Sequence, residues 1–170
     1  MKRVYLAGPD VFLTNALDIA QKKKRICAAH DLEGVFPLDQ ELDLTGLPPR
    51  RQGLAIFAAN AHLMDGCDYC IANCTPFRGP SMDVGTAVEI GHMHALGKRI
   101  WGYTNVAGDY ATRVLEPDGM DVEEFGLADN LMIEGAIEAS GGCLVREDAP
   151  DDQRYTWLEA FGRCVAHAAG

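Results

Sequence analysis

Short apolar segments alternate with amphipathic segments along the chain, and this alternation limits the possible folds more than any other feature of the sequence. Short runs rich in apolar residues, bounded by Gly, Pro or Asp, predict β-strands. Apolar residues that recur every three or four positions predict helices between them. The predicted strands cover residues 3–7, 34–38, 68–74, 98–103 and 142–146. The predicted helices cover residues 15–30, 51–64, 84–96 and 150–168.

Strands and helices in this order pack as a parallel sheet with helices on both faces. We therefore expect an α/β fold, a three-layer sandwich around a mainly parallel five-stranded sheet. The length of 170 residues fits a single domain that spans residues 1–170. In such sheets, ligands bind outside the carboxyl ends of the strands. This rule selects four segments as candidate site loops, namely 8–12, 37–41, 75–83 and 103–105.

Two segments carry further structural expectations. The helix at 51–64 is expected to face the core with its apolar residues, which are Leu54, Phe57, Ala58, Ala61 and either Leu63 or Met64. The segment 105–129 contains no sustained apolar periodicity and is expected to be irregular, with one helical piece at 110–115.

The charge balance excludes several classes of partner. The chain has 15 Lys and Arg residues against 25 Asp and Glu residues, a formal net charge of −10. Such a chain repels phosphate backbones, so a nucleic acid polymer is not an expected partner, whereas a small nucleoside is compatible. No apolar run approaches the roughly 18 residues of a membrane span. The first strand begins almost at the N-terminus, which leaves no room for a signal peptide, and we expect a cytoplasmic protein.

The cysteines and histidines do not predict a metal site. Cys67, Cys70 and Cys74 lie close together, but they form only one C-x-x-C pair, with no second pair and no H-x-x-x-H partner. We expect these cysteines to be small apolar core residues. His92 and His94 are two positions apart on a helix and diverge, so they do not chelate one ion.

The most informative stretch is residues 77–91, which runs from a strand end through a loop into a helix. Asp83 lies just before the helix and Glu89 lies in its second turn, flanked by Val88 and Ile90. A carboxylate among apolar residues needs a partner, because burying an unpaired charge is costly. One interpretation is structural, with Asp83 capping the helix and Glu89 bonded to a neighbouring Arg or Tyr. The other is that the two carboxylates form a site. The glycine-rich signatures of dinucleotide-binding and P-loop proteins are absent.

Four segments, in this order, resemble the nucleoside 2-deoxyribosyltransferase family. They are Val4-Tyr5-Leu6-Ala7-Gly8-Pro9-x-x-Phe12, Phe77-Arg78-Gly79, Asp83-x-Gly85-Thr86-Ala87-x-Glu89-x-Gly91 and Phe125-Gly126-Leu127-x-x-Asn130-Leu131-Met132. The similarity extends over residues 3–134. The resemblance implies a flavodoxin-like, Rossmann-like fold and an enzyme that moves 2-deoxyribose from one nucleobase to another in nucleoside salvage. It implies 2-deoxyribonucleosides and free nucleobases as partners and no cofactor.

The resemblance also implies roles for the residues that match the motifs. Glu89 would be the nucleophile that attacks the anomeric carbon and forms a covalent deoxyribosyl ester, with retention of configuration. Its place near a helix N-terminus would favour the ionised form. Tyr5 would hold Glu89 through its hydroxyl, although a tyrosine on a first strand is usually a core residue. Asp83 would bind a sugar hydroxyl, the 5′-OH. Asn130, otherwise a loop residue, would complete that contact from an adjacent subunit, which implies a homo-oligomer.

The remaining matches concern the substrate pocket. Gly8 and Pro9 would bring the backbone close to the ligand, and Phe12 would line the base pocket. Asp39 would contact the base edge or form an Asx turn. Arg78 would cover the base, close the loop, or remain exposed to solvent. Gly79 and Gly85 belong to the same motifs and complete the predicted substrate-binding set.

The sequence departs from the family pattern in two places. Some members carry an Asp that is thought to protonate the departing base, and the matching position here is Asn60, whose amide supplies no acidic proton. That proton would then come from Asp39, Asp10, Glu41 or water. Certain members end in an aromatic residue that reaches the site, whereas this chain ends His167-Ala168-Ala169-Gly170.

Two other functions are compatible with parts of this pattern. A related hydrolase would cleave the N-glycosidic bond of a deoxynucleoside or deoxynucleotide with water. Relatives that act on monophosphates carry Ser in place of Asp83, because a carboxylate repels phosphate. A non-catalytic nucleotide-binding module would not need Glu89, Asp83 and Tyr5 together. The preference between purines and pyrimidines, the number of subunits and the extent of hydrolysis are not determined by the sequence.

Overall fold

Five parallel strands form the centre of the computed structural model, which describes residues 1–115 and 119–170. The strands lie in the order β2-β1-β3-β4-β5, and each neighbouring pair is parallel. Their bounds are β1 Lys2–Ala7, β2 Leu32–Val35, β3 Tyr69–Asn73, β4 Arg99–Thr104 and β5 Leu144–Arg146. The predicted five-stranded parallel sheet is confirmed, and its strand order is that of flavodoxin-like folds.

Helices cover both faces of the sheet and complete three layers. One core, built on Phe161 and Val165, lies between the sheet and the pair α1 (Ala16–Ala28) and α5 (Glu159–Ala169). A second core lies between the sheet and the other three helices, α2 (Pro49–Asp65), α3 (Val84–Ala95) and α4 (Leu131–Ala139). None of the described helices has the combined length and apolar character that spanning a bilayer demands.

The period of two along β1 decides which residues reach the candidate site. Val4 and Leu6 point into the core beneath α1 and α5, whereas Tyr5 and Ala7 point into the core beneath α3. Cys67, Cys70 and Cys74 are buried in the α3-side core, as expected of small apolar residues. The described residues contain no group of three potential metal ligands.

Three elements differ from the sequence prediction. β2 ends at Val35 rather than at residue 38, because Pro37, which has no N–H to donate, opens a 3-10 turn. α5 begins at Glu159 rather than at residue 150. The Asn105 amide donates to the backbone carbonyls of Arg154 and Trp157, so the segment before α5 forms the 3-10 turn Asp151–Gln153 and does not continue the α-helix. α4 was not predicted, although Asn130 caps it and Gly141 follows it with a positive φ of 86°.

The predicted inward face of α2 is confirmed in its C-terminal part, where Ala61 and Met64 pack in or against the core. It is wrong for Leu54, Phe57 and Ala58, which are exposed. Leu54 and Phe57 are 45% and 63% exposed, and Met64 is the only α2 residue that is fully buried. The helix touches the sheet mainly through its C-terminal end, so its apolar middle lies on the surface beside the carboxyl edge of the sheet. The 3-10 turn Tyr110–Arg113 confirms the helical piece expected near 110–115.

A buried ion pair ties the first turn after β1 to α1. The Lys23 Nζ lies 2.9 Å from Asp10 Oδ2, and both side chains are at most 1% exposed. The ammonium also lies 5.3 Å from the centre of the Tyr103 ring and 5.1 Å from that of Phe161. The Asn73 amide, at the end of β3, approaches both oxygens of Asp10 at 3.3–3.4 Å. Asp10 therefore joins β1, α1 and β3 at the carboxyl edge of the sheet.

We expect Lys23→Met to lower the free energy of unfolding by about 3–5 kcal/mol, because Asp10 keeps a buried charge with no cationic partner. The double variant Asp10→Asn/Lys23→Met removes both charges, and its free energy of unfolding should fall by less than that of Lys23→Met alone. Urea unfolding followed by circular dichroism measures both. The exposed neighbour supplies the control, since Lys22→Met should change stability by no more than about 0.5 kcal/mol. A Lys23→Met protein as stable as the control would contradict this account of the pair.

Candidate active site

A cavity of about 340 Å³ lies beyond the carboxyl ends of β1 and β2, against α2 and the first turns of α3. This is the side of the sheet, next to the β1/β3 switch point, where ligands bind in folds with this strand order. Its polar side chains are Asn60, Asp83 and Glu89, and Gly8 and Gly85 contribute backbone. The rest of its wall is apolar and is formed by Val11, Phe12, Pro37, Leu38 and Ile56.

Tyr5 and Glu89 are joined by a short hydrogen bond. The Tyr5 hydroxyl donates to Glu89 Oε1 at 2.6 Å. Tyr5 is fully buried, and its burial together with the adjacent carboxylate raises the pKa of the phenol well above its usual value, so the hydroxyl stays protonated and donates. No described residue donates to the other oxygen, Glu89 Oε2. The predicted contact between these two residues is therefore present, and it leaves one carboxylate oxygen free to react.

The ionisation of Glu89 differs from the sequence expectation. Burial raises the pKa of Glu89 to about 7, the Tyr5 hydrogen bond lowers it, and the nearby Asp83 carboxylate raises it further. Desolvation therefore outweighs the helix N-terminus that was expected to keep this group ionised. Near neutral pH both protonation states are populated. A carboxyl with a pKa in this range and an unpaired oxygen inside a cavity is a candidate for covalent or acid–base chemistry.

Asp83 caps α3, as one interpretation of the sequence expected, and it also lines the cavity. Its Oδ2 accepts from the Thr86 amide at 2.9 Å and from the Thr86 hydroxyl at 3.0 Å, which caps α3. Its Oδ1 has no hydrogen-bond donor within the described part of the chain, and the residue lines the cavity beside Glu89. One oxygen thus terminates the helix while the other is available to a ligand hydroxyl.

Gly8 is required where the chain leaves β1. A Cβ at this position would lie 2.4 Å from Asp10 Oδ2 and 2.7 Å from the Cβ of Asn73. The backbone therefore runs against the buried Asp10, and its opposite side lines the cavity. Pro9 is buried and opens the 3-10 turn Pro9–Phe12, which brings Phe12 to the cavity. Gly85 also lines the cavity, and a Cβ there would lie 3.0 Å from Asp83 Oδ2.

An aromatic stack stands at the mouth of the cavity. The rings of Phe12 and Phe77 are nearly parallel, with their centres 5.5 Å apart. The Arg78 guanidinium lies 4.6 Å from the centre of the Phe77 ring and 5.3 Å from that of Phe12. Arg78 is exposed and adopts a positive φ of 57°. Its cation therefore interacts with ring faces, and among the described residues no carboxylate forms an ion pair with it.

Several cavity residues were not singled out from the sequence. Pro37 and Leu38 follow β2, within a segment that the strand-end rule had selected. Ile56 lies four positions before Asn60, on the same side of α2, and this helical spacing could have identified it. Val11 precedes the predicted Phe12 but carries no polar group that would mark it.

With this geometry established, the comparison with known families is decisive. The profile of the nucleoside 2-deoxyribosyltransferase family matches residues 4–132 of the chain. The chain belongs to the nucleoside 2-deoxyribosyltransferase family. The matched region includes Tyr5 and every residue that lines the cavity, Asp83 and Glu89 among them.

Relatives and solved structures agree with this assignment. "Uncharacterized protein C191.05c" of Schizosaccharomyces pombe is 36% identical over 165 residues, which cover 82% of this chain and 78% of the relative. The structure of a 2-deoxyribosyltransferase from Leishmania mexicana matches with a TM-score of 0.71 and 28% identity, over 98% of this chain and 99% of that one. The Clostridium botulinum CMP N-glycosidase BcmB matches with a TM-score of 0.53 and 16% identity, over 98% and 99% of the two chains, and shows similarity of fold alone.

Six of the predicted site residues do not line the cavity of this nucleoside 2-deoxyribosyltransferase family member, namely Tyr5, Pro9, Asp39, Arg78, Gly79 and Asn130. Asp39 Oδ2 accepts from the Phe36 amide at 2.8 Å, and its Oδ1 accepts from Lys24 at 2.5 Å. Both oxygens are therefore already hydrogen-bonded within the chain. Gly79 lies in the exposed loop after β3. Asn130 caps α4, where its Oδ1 accepts from the Met132 amide at 3.0 Å.

Asn130 lies beside a second cavity, of about 450 Å³, between α3 and α4. Apolar residues dominate its wall, and Glu89 and Asp83 are not part of it. Asp129, which the sequence analysis did not single out, connects this region to the loop after β3. It is 1% exposed, and its oxygens accept from Ser81 Oγ and from the amides of Met82 and Asn130. Asn130 therefore does not line the cavity that contains Glu89 in the same chain, and its side-chain amide donates to Glu123 Oε1 at 2.7 Å.

The raised pKa of Glu89 predicts a pH-dependent cost to stability. Because the folded-state pKa, about 7, lies above the ordinary value of 4.5, ionisation of Glu89 opposes folding as the pH rises through 7. We expect Glu89→Gln to stabilise the protein by about 2 kcal/mol more at pH 8 than at pH 5. Urea unfolding at both pH values measures this difference. The exposed Glu138→Gln is the matched control, and equal effects of Glu89→Gln at the two pH values would refute the assignment.

Proposed function

We propose that this family member transfers 2-deoxyribose between nucleobases through a covalent ester on Glu89. The observation that carries the proposal is the Tyr5–Glu89 hydrogen bond inside the cavity, because it fixes one carboxylate oxygen and leaves the other free beside Asp83. The similarity to the Leishmania mexicana 2-deoxyribosyltransferase supports the same activity.

In the first step, the ionised Glu89 uses Oε2 to attack the anomeric carbon of a 2-deoxyribonucleoside. The new C–O bond forms as the C–N bond to the base breaks, and the electron pair of that bond leaves with the base nitrogen. The Tyr5 hydroxyl holds the carboxylate in the attacking orientation throughout. The product is a deoxyribosyl ester of Glu89 and a free base that has gained one proton.

In the second step, a nitrogen of a second base attacks the anomeric carbon from the vacated side. The ester C–O bond breaks, its electron pair returns to Glu89, and the incoming base loses one proton. Two displacements at the same carbon retain its configuration, as in retaining glycosidases. If water replaces the second base, the same ester is hydrolysed, so transfer requires that the base occupy this position before water does.

The substrate we propose is an unphosphorylated nucleoside. None of the described residues that line the cavity is a lysine or an arginine, and two of them are carboxylic acids. A phosphate dianion in this environment would meet Asp83 without a compensating cation. A sugar hydroxyl would instead donate to the free Oδ1 of Asp83. The apolar wall and Phe12 would contact the faces of the base, and Asn60 would hydrogen-bond its edge.

We further propose that water supplies the proton to the departing base. Asp10 is fully buried and paired with Lys23, and Asp39 is bound to Lys24 and to the Phe36 amide. Glu41 is exposed and does not line the cavity. The three side-chain acids that the sequence offered as proton donors are therefore engaged or remote, and Asn60 contributes only a hydrogen bond.

We also propose a homo-oligomer in which Asn130 serves the site of a neighbouring subunit. Asn130 lies beside the cavity between α3 and α4, within a surface rich in exposed apolar side chains. Val84 and Met132, which line this cavity, are 81% and 72% exposed. Apolar exposure of this extent is typical of a contact surface between subunits.

The transfer activity is tested by chromatography of three reactions, which contain deoxyinosine with adenine, deoxyinosine alone, and a deoxynucleoside monophosphate alone. We expect deoxyadenosine in the first reaction only, and little hydrolysis in the other two. Glu89→Gln should reduce transfer by roughly 1000-fold or more while the protein stays folded, because the nucleophile is lost. The surface variant Glu138→Gln should retain full activity.

Each other outcome identifies a different function. Hypoxanthine release at the same rate without adenine would make the protein a nucleoside hydrolase. Cleavage of the monophosphate alone would overturn the proposed role of Asp83. Nucleoside binding with no turnover in the wild type would identify a binding module.

The sharing of Asn130 is tested by mixing inactive subunits. Asn130→Ser keeps an oxygen that can cap α4 but removes the amide, and Glu89→Ala removes the nucleophile. If reciprocal pairs share their sites, an equal mixture after subunit exchange should recover about one quarter of the wild-type activity, because half of the pairs are mixed and each contains one intact site. No recovery, with exchange demonstrated by a mass-tagged subunit, would show that Asn130 does not act across the interface.

A further inference from the structure

The segment 147–158, which joins β5 to α5, crosses the carboxyl edge of the sheet and lies outside the residues that the family profile matches. Asn105, at the end of β4, holds it in place. The Asn105 side-chain amide donates to Arg154 O at 2.7 Å and to Trp157 O at 3.0 Å, and its backbone carbonyl accepts from the Ala149 amide at 3.2 Å. Asn105 is 2% exposed, so these bonds are shielded from water. The segment is therefore held at three residues, two before Tyr155 and one after it.

Tyr155 is the residue of this segment that reaches the loop after β3. Its hydroxyl donates to the backbone carbonyl of Pro76 at 2.5 Å. Its ring meets that of Phe77 edge-to-face, with the ring centres 6.1 Å apart and the planes at 84°. Pro76 is buried, and burial of the phenol raises the pKa of Tyr155, so the hydroxyl stays protonated as a donor. Two consecutive residues of the loop are thus held by one side chain.

The contact continues from Phe77 to the cavity. The other partner of the Phe77 ring is Phe12, which stacks on it at 5.5 Å. Phe12 lines the cavity and is 58% exposed, so its ring is not fixed by burial in the core. Within the described chain, the Phe12 ring is held by the Phe77 ring and by the Arg78 guanidinium. Phe77 is ordered in turn by Tyr155 and by its own amide, which donates to Ser81 O at 2.9 Å.

We propose that Tyr155 is a positioning residue that fixes the Phe77–Phe12 pair and thereby sets the affinity of the cavity for the nucleobase. This inference rests on the proposed function, because the ligand of Phe12 is taken to be a base. A planar base binds an aromatic ring most tightly when the ring is already held in place, since ordering the ring on binding costs entropy. Tyr155 supplies that order from a segment that does not itself line the cavity.

Tyr155 acts on binding of the base and not on the chemical step at Glu89. The contacts of Tyr155 are with Pro76 and Phe77, whereas Glu89 is oriented by Tyr5 and Asp83 is fixed by Thr86. Loss of the Tyr155 hydroxyl should therefore weaken base binding and leave the rate of the chemical step unchanged. A residue that merely stabilises the fold would lower the melting temperature and leave both quantities unchanged at lower temperature.

The experiment compares Tyr155→Phe, which removes only the hydroxyl, with Tyr69→Phe. The Tyr69 hydroxyl has no hydrogen-bond partner among the described residues, and its ring packs on Trp101, away from the cavity. Binding of adenine is measured by isothermal titration calorimetry, and kcat and KM by transfer from deoxyinosine to adenine, at a temperature well below unfolding. We expect Tyr155→Phe to weaken adenine binding and raise the adenine KM about 2- to 10-fold, the effect of one hydrogen bond, with kcat unchanged. Tyr69→Phe should equal the wild type.

Each result bears on the proposal. If the wild type transfers deoxyribose but Tyr155→Phe matches Tyr69→Phe in Kd and KM, the role of Tyr155 is overturned and the proposed function stands. A fall in kcat with unchanged adenine binding also overturns it, because the residue would then act on the chemical step. A wild type that neither binds adenine nor turns over deoxyinosine overturns the proposed function and this inference with it.

Discussion

The buried ion pair between Asp10 and Lys23 is the constraint on which the geometry of the site depends. It holds the turn after β1 against α1 and, through Asn73, against the end of β3. Gly8 lies directly on this pair and has no room for a side chain. One side of the Gly8 backbone therefore packs against a desolvated charge pair, and its other side lines the cavity. A loop alone would not hold the backbone in this position, because a buried pair strongly penalises any displacement that separates the charges.

Glu89 is held at the opposite wall under a different balance of forces. Desolvation makes its ionised form unfavourable, and the Tyr5 hydroxyl only partly compensates. A fully solvated glutamate would be easier to ionise, but water would compete for its oxygens and for the anomeric carbon that we propose it attacks. A pKa of about 7 is therefore the result of excluding water while retaining one hydrogen bond. The site gives up folding stability at neutral and alkaline pH in order to keep a partly desolvated carboxylate.

The sheet could be predicted from local patterns, whereas the Tyr5–Glu89 contact was predicted from the resemblance to the family. The period of two in β1 places Tyr5 on the α3 side, and the helical spacing of α3 places Glu89 above it. The failures come from tertiary contacts that no local pattern records. The side-chain amide of Asn105 binds backbone carbonyls that a longer α5 would need as hydrogen-bond acceptors. Leu54 and Phe57 of α2 lie at the surface, although their spacing predicts that they face the core. Asp39 follows the cavity residues Pro37 and Leu38 in the sequence, but its carboxylate forms an ion pair with Lys24.

The cap that Asp83 forms is compatible with the ligand contact that we propose for the same side chain. A helix N-cap needs only one acceptor, and Thr86 occupies Oδ2 with both its amide and its hydroxyl. The cap fixes the torsion angles of the side chain, and this also fixes the direction in which Oδ1 points. The remaining oxygen is thus oriented at no further entropic cost when a ligand arrives. The carboxylate that ends the loop after β3 is for this reason well suited to position a ligand beside Glu89, and removing the cap would disturb the site even where the ligand contact is preserved.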